Sequence, residues 1–175
     1  TDRLMAGADT RATARALASA AEKLGPFDAV FCGCKAIDGE TGQVPGELAA
    51  ALGLPCISNA EKVEAAGDEL LVTRRLEDGV QNLTVSGPAM VSFSSYSYPL
   101  RLAGILGMRR ARKTPVEILT AADLGLTPED CGLKGSLTKV VAMESRFPGL
   151  RRGPKETDLD AGVQNLRVLL REVRP

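Results

Sequence analysis

A strand-loop-helix passage in the first third of the chain constrains its fold more than any other feature. Residues 27–32, FDAVFC, form a short β-rich apolar run, and residues 33–44, GCKAIDGETGQV, form a Gly-rich loop. An Ala/Leu helix is expected from Val44 to Leu52, stopped by Gly53-Leu54-Pro55. Upstream, DTRATARALASAAEKL repeats Ala12, Ala16, Leu17 and Ala20 at helical spacing behind an Asp9 able to cap the first turn, and Gly25-Pro26 ends the run. A helix leading to a buried strand and then to a second helix is the grammar of an open parallel α/β sheet. The same grammar predicts a feeding strand before Thr1, so the chain, which starts Thr-Asp-Arg without Met, reads as a fragment.

Between Ile57 and Phe93 the period changes to that of strands, punctuated by Gly67-Asp68, Asp78-Gly79 and Gly87-Pro88, and an antiparallel meander is expected there. Residues 98–108, YPLRLAGILGM, are apolar and run into the basic cluster Arg109, Arg110, Arg112 and Lys113. Pro115 is expected to open another strand-like stretch, Thr120-Ala-Ala-Asp123 a short helical turn, and residues 137–143 a last core strand. A Pro/Gly-broken linker leads to a closing amphipathic helix over residues 159–173, with Leu159, Val163, Leu166 and Leu170 on one face. Residues 1–146 thus read as an α/β domain, and 147–175 as linker and docking helix.

At 175 residues, 44% of them hydrophobic, the chain can bury one core and an appended arm. Lys plus Arg number 22 and Asp plus Glu 22, so no net field draws it to nucleic acid or an anionic membrane. No run approaches the roughly 20 apolar residues of a membrane span, and no signal-peptide pattern opens the sequence, so a soluble, cytoplasmic protein is expected, reaching a membrane only through a partner. His and Trp are both absent, which removes His-based nucleophile activation and leaves little aromatic surface for base stacking. Cys32, Cys34, Cys56 and Cys131 match no metal-ligand spacing and read as small buried hydrophobes. Residues 109–113 suit either steering of an acidic partner or a solvated helix end.

The loop lies where open parallel sheets bind ligands, beyond the carboxyl end of a strand and at a helix N-terminus that offers free N–H groups to phosphate. Gly39 and Gly42 permit close backbone approach, Thr41 and Gln43 add neutral donors, and Asp38 can accept from a ribose hydroxyl or orient the loop. Glu40 reads as a positioning group rather than a general base. The pattern is neither a Walker A motif nor GxGxxG, and by itself it leaves a purely structural loop as the alternative.

CGxxAIDGxTxQV followed by an Ala/Leu helix and Leu-Gly-Leu-Pro resembles the beta subunit of electron transfer flavoproteins. AGADTRATARALA, RRLEDGVQ, EILTAADLGL and GLKGSLTKVV are similar to further segments of that family, so the resemblance runs through nearly the whole chain. It implies a Rossmann-like α/β fold of the adenine-nucleotide-alpha-hydrolase type, whose first strands are missing here. It also implies an alpha subunit holding an electron-carrying FAD, and AMP or a second FAD on this chain. The implied nucleotide contacts are Gly33, Cys34, Lys35, Ala36, Ile37, Asp38, Gly39, Glu40, Thr41, Gly42, Gln43 and Val44, with Asp9 and Thr10 at the nearby helix start. Asp38, Gly39, Thr41, Gln43 and Val44 resemble the electron-bifurcating branch, whose second flavin takes the AMP position, and so favour FAD with NADH as donor.

The sequence departs from the family in two places. Cys34-Lys35 stands where Arg or Lys then Gln is usual. Tyr98-Pro99-Leu100-Arg101-Leu102 stands where the partner-recognition loop usually reads Asn-Glu-Pro-Arg-Tyr, keeping only Arg101. Ile105 falls on the docking Leu, with Arg110 and Lys113 on the basic run after it, so the resemblance implies either an acyl-CoA dehydrogenase-like partner of atypical kind or another redox partner. No side chain is assigned as catalytic. The rival expectation is a stand-alone adenine-nucleotide sensor of universal-stress type, which needs neither the meander nor the closing helix.

Overall fold

Asp9 starts the first helix by taking up an amide that the helix cannot satisfy itself: its carboxylate accepts from Ala12 N–H at 2.9 Å. Helix α1 (Thr10–Leu24) follows and buries Ala12, Ala14 and Ala18. At its end the Gly25 N–H donates to Ala21 O at 2.8 Å. Strand β1 (Ala29–Gly33) starts two residues later than the apolar run suggests and includes Gly33. Helix α2 (Val44–Leu52) has Pro45 in its first turn and ends at Gly53, whose φ of 66° is the left-handed conformation that a C-cap demands.

The computed structural model describes residues 2–94, 97–142, 144 and 157–172. The chain divides into two units, Thr1–Lys139 and Val140–Pro175. In the first, strands β2 (Cys56–Ala66), β3 (Glu69–Leu76) and β4 (Gly79–Ser86) form the expected antiparallel meander, turning at Gly67 and at Glu77-Asp78.

The last run, β5 (Ala89–Phe93), corrects the expectation that the meander extends to Phe93. It crosses back to the middle of the sheet, in the order β1-β5-β2-β3-β4, and lies parallel to both β1 and β2. The reason is composition: AMVSF does not alternate, and a strand covered on both faces is apolar throughout. Register places Met90 beside Val30 and Cys56, and Val91 beside Phe31 and Ile57. Alternate β5 residues therefore feed two cores. Met90 packs with Ala14, Ala18, Leu48 and Ala49 beneath the helices, while Val91 packs with Ile57, Ala60 and Val72 on the other face. The result is an open, mixed α/β sheet of Rossmann-like type.

Two further strand expectations fail. Among the described residues there is no strand at 115–119 or at 137–142, and Val116, Ile118, Leu137, Val140 and Val141 are exposed. The segment instead makes a 3-10 turn at Ala122–Leu124 and a short helix α4 (Gly132–Gly135). Met143, at the end of that expected strand, lies outside the described residues, as do residues 145–156 of the linker. Helix α3 (Ile105–Lys113) buries none of its residues. In the second unit, helix α5 (Leu159–Glu172) carries exposed Leu159, Val163, Leu166 and Leu170, and Val173 lies outside the description. Of the cysteines only Cys131 is buried; Cys32 and Cys34 are half-buried and Cys56 exposed, which corrects the reading of all four as core. Among the described residues no helix is long and apolar enough to cross a membrane.

Met90 joins the helices to the central strand with no exposed surface. Met90→Ala is expected to cost about 2–5 kcal/mol through the cavity it leaves. Val80→Ala, at an exposed position on the edge strand, should stay within about 0.5 kcal/mol. Urea midpoints of the two variants against wild type check the contrast.

Candidate functional site

β1 delivers the chain to the carboxyl edge of the sheet, and one further ladder bond, Cys34 N–H to Phe93 O at 2.9 Å, holds the exit of the loop. The loop then folds on itself. Glu40 N–H donates to Ala36 O at 3.0 Å, and Asp38 Oδ1 accepts from Gly39 N–H at 2.8 Å. Glu40 has φ of 55° and Gly42 φ of 65°, so the loop turns through two left-handed residues, only one of them glycine. A Cβ at Gly42 would lie 3.5 Å from Cys34 O, within the fold of the loop. Gln43 ends the loop at the N-cap of α2 and makes no side-chain capping bond. Pro45 has no N–H and Glu47 N–H already donates to Gln43 O at 3.1 Å, so the amides of Val44 and Gly46 are the ones left to whatever enters from outside.

Beside the loop lies an open cleft of about 420 Å³, within the range of about 300–1,000 Å³ typical of small-molecule sites. It brings together most of the residues that the sequence singled out: Asp9, Thr10, Gly33, Lys35, Ala36, Asp38, Gly39, Glu40, Thr41, Gly42 and Val44. Cys34 and Gln43 line a second cleft of about 760 Å³ along the same loop. Ile37 lines neither, and its side chain is fully exposed. Sequence reasoning missed Ala8, Thr13, Cys32 and Pro45 as lining residues. Thr13 stands one helical turn after Thr10, a spacing that puts both hydroxyls on one face and could have revealed it. Glu47 and Ser92 of the second cleft carried no such signal.

The electrostatics are uneven. The Asp9 carboxylate is spent on the fold: besides Ala12 N–H, its Oδ2 accepts from Leu137 N–H at 2.8 Å, Thr138 N–H at 3.0 Å and Thr138 Oγ1 at 3.1 Å. The Ala12 amide foremost, aided by these donors against a desolvation cost, holds the Asp9 carboxyl below its usual range. Thr10 Oγ1 lies 3.1 Å from Glu47 Oε1 and 3.3 Å from Gln43 Oε1, while Glu47 Oε2 is buried without a protein donor. Lys35 Nζ and Glu40 Oε1 form an ion pair at 2.6 Å. Burial, and then the neighbouring Cys56 and Cys34, push the Cys32 thiol up to about 11, so it stays protonated near neutral pH and is a poor nucleophile. Among the described residues no cluster of His, Cys, Asp and Glu could hold a metal ion. To an anion the site offers hydroxyl and backbone donors and the Lys35 ammonium.

The sequence-predicted docking residues sit elsewhere on the first unit. Arg101 is exposed in irregular chain, Ile105 opens α3 with its side chain exposed, and Arg110 and Lys113 lie in the last turn of that helix. Leu106 and Met108 add exposed apolar surface on α3.

A family profile described as the electron transfer flavoprotein domain matches residues 1–124. The chain is 43% identical over 169 residues to an electron transfer flavoprotein subunit beta of Thermoanaerobacterium thermosaccharolyticum, covering 95% of this chain and 64% of that protein. It is 34% identical over 139 residues to the caffeyl-CoA reductase-Etf complex subunit CarD of Acetobacterium woodii, covering 79% and 53%. It is 37% identical over 168 residues to Protein FixA of Azorhizobium caulinodans, covering 91% and 59%. The chain thus spans between half and two thirds of the length of these relatives.

Loss of the Asp9 carboxylate removes a helix cap and the bonds to Leu137 and Thr138 together. Asp9→Ala is expected to destabilise the protein by about 1–3 kcal/mol. Because its folded pKa lies below the ordinary aspartate value of about 4, the wild-type advantage is full above that pH. It closes as the pH falls through the folded pKa. Denaturant unfolding of both proteins across this acid range reads the gap directly; a gap unchanged by acid would reject the charged carboxylate as its source.

Proposed function

Because the chain belongs to the electron transfer flavoprotein family, we propose that it acts as a beta subunit, holding an adenine nucleotide in the loop of residues 33–44. With an alpha subunit it passes electrons between a dehydrogenase or NADH and an acceptor. The observation that carries this reading is the helix α2 N-terminus, left without a side-chain cap beside a cleft at the carboxyl end of β1.

The residues fit a phosphate ester. Gly42, in the left-handed region, keeps side-chain bulk out of the turn that leads into α2. The Val44 amide at the start of α2 and the Thr41 hydroxyl supply donors, Asp38 is exposed and able to accept from a ribose, and Lys35 adds a cation. A flavin held there supplies redox chemistry that no side chain of this site offers. The chain's own residues bind, orient and set the local charge. Resemblance of Asp38, Gly39, Thr41, Gln43 and Val44 to the bifurcating branch favours FAD over AMP in this cleft. The exposed apolar and basic residues of α3, together with Arg101, suit docking to a redox partner protein.

Two measurements on the complex of this chain with its alpha subunit test the reading. Gly42→Glu places a carboxylate in the cradle and is expected to lower bound nucleotide by roughly tenfold or more relative to Gly42→Ala, which carries the same left-handed backbone strain without the charge. Undiminished nucleotide would reject the cradle. Quantifying the cofactor released on denaturation separates the finer alternatives. About two FAD per heterodimer agrees with a flavin on each subunit, whereas one FAD with one AMP leaves the simpler shuttle.

A further inference from the structure

Among the described residues, the cleft that would receive a phosphate is lined by the acidic Asp9, Asp38 and Glu40, with Lys35 as the one cation. A second cleft along the same loop adds Glu47, and among the described residues Lys35 is again its one cation. A phosphate approaching this surface is repelled by the carboxylates unless fixed backbone donors and that cation outweigh them. Lys35 is already engaged: its ammonium lies 2.6 Å from Glu40 Oε1. The hydrogen bond to Glu40 and the charge behind it hold the Lys35 pKa up and the Glu40 pKa down. Glu40 reaches this position through a φ of 55°, which non-glycine residues seldom adopt. Both side chains are substantially exposed, at 46% and 66%. The pair therefore sits in water and is cheap to exchange.

We propose that Lys35 is the residue that specifies phosphate in this cleft, and that Glu40 is a latch that holds its ammonium until the 5′-phosphate of an adenosine ligand, AMP or FAD, takes the carboxylate's place. This rests on the nucleotide reading above. A lysine suits the exchange, since its compact charge rides on a flexible stem and can turn from one anion to another without moving the backbone. Both partners belong to one loop and face the same cleft, so ligand and carboxylate compete for a single cation. Net binding then depends on the difference between two ion pairs, and a ligand without phosphate gains nothing from opening the latch.

The test uses the full chain in complex with its alpha subunit, stripped of nucleotide. Wild type, Lys35→Gln, Glu40→Gln and the double variant are titrated with AMP, FAD and the uncharged probe adenosine at low and high salt, with thermal melts confirming the fold of each. Glu40→Gln is expected to tighten the bound phosphate ligand about two- to fivefold, the range set by an exposed ion pair, and to leave adenosine unchanged. Lys35→Gln is expected to weaken the phosphate ligand roughly tenfold and to flatten its salt dependence. In the Lys35→Gln background, Glu40→Gln should have no further effect. If it tightens binding equally in both backgrounds, Glu40 merely repels the ligand and the latch is rejected. Wild type that binds adenosine as tightly as AMP or FAD rejects Lys35 as the specifying residue while leaving a nucleotide cleft standing. Wild type that binds none of the three overturns the nucleotide reading and the latch with it.

Discussion

The Asp9 carboxylate is the constraint on which the cleft-bearing edge of the fold depends. One of its oxygens caps α1, and the other receives Leu137 and Thr138 from the far side of the sequence. Its own amide donates to Ser136 Oγ at 2.8 Å, and that hydroxyl donates onward to Gly132 O at 2.7 Å. Asp2 repeats the device on a smaller scale, accepting from Leu4 N–H and from Ala121 N–H. Two acidic side chains near the start of the chain thus tie down a long segment without strands, and the helix start they fix forms one wall of the cleft.

This stitching bears on why the strands expected from Pro115 and over 137–143 are not seen among the described residues, while the helical turn expected at Thr120–Asp123 is. Val116, Ile118, Leu137 and Val140 have strand composition, but a strand is stable only when a ladder satisfies its amides, and propensity does not supply the ladder. Here local side chains satisfy the backbone instead. Thr120 N–H and Oγ1 both donate to Asp123 Oδ2, and Thr127 N–H and Oγ1 both donate to Asp130 Oδ2. The repeated Thr-x-x-Asp spacing was legible as a turn signal at Thr120 and equally available at Thr127.

Helices α1 and α2 were legible because their ends are decided by local chemistry, Asp9 at one start and Gly25 and Gly53 at two stops, whereas α3 and α4 were not read as helices. The topology was not legible, because strand order depends on which faces are buried. β2 and β4 alternate between more and less exposed residues, whereas Ala89 to Ser92 are all buried. That loss of alternation in AMVSF marks a central strand. The position of the loop at the end of β1 and the start of α2 was readable in full, since it needs only the order of elements. The pairing of Lys35 with Glu40 was not, because it depends on a left-handed glutamate that no residue type announces.

The proposed nucleotide site asks a surface with more acidic than basic side chains, among the described residues, to receive a phosphate. Carboxylates held by backbone amides act differently from free ones: Asp9 has its charge neutralised in part by donors that also build the fold, so it contributes less repulsion than its formal charge suggests. The amides at the start of α2 are fixed dipoles and need no reorganisation when an anion arrives. Among the described residues, the remaining balance falls on Lys35 and on Glu40, which holds it. Binding strength in such a site is set less by how many charges line it than by which of them are already committed. For the same reason, a substitution at a committed residue such as Asp9 registers first as lost stability, whereas one at an exchangeable residue such as Glu40 registers first as altered affinity.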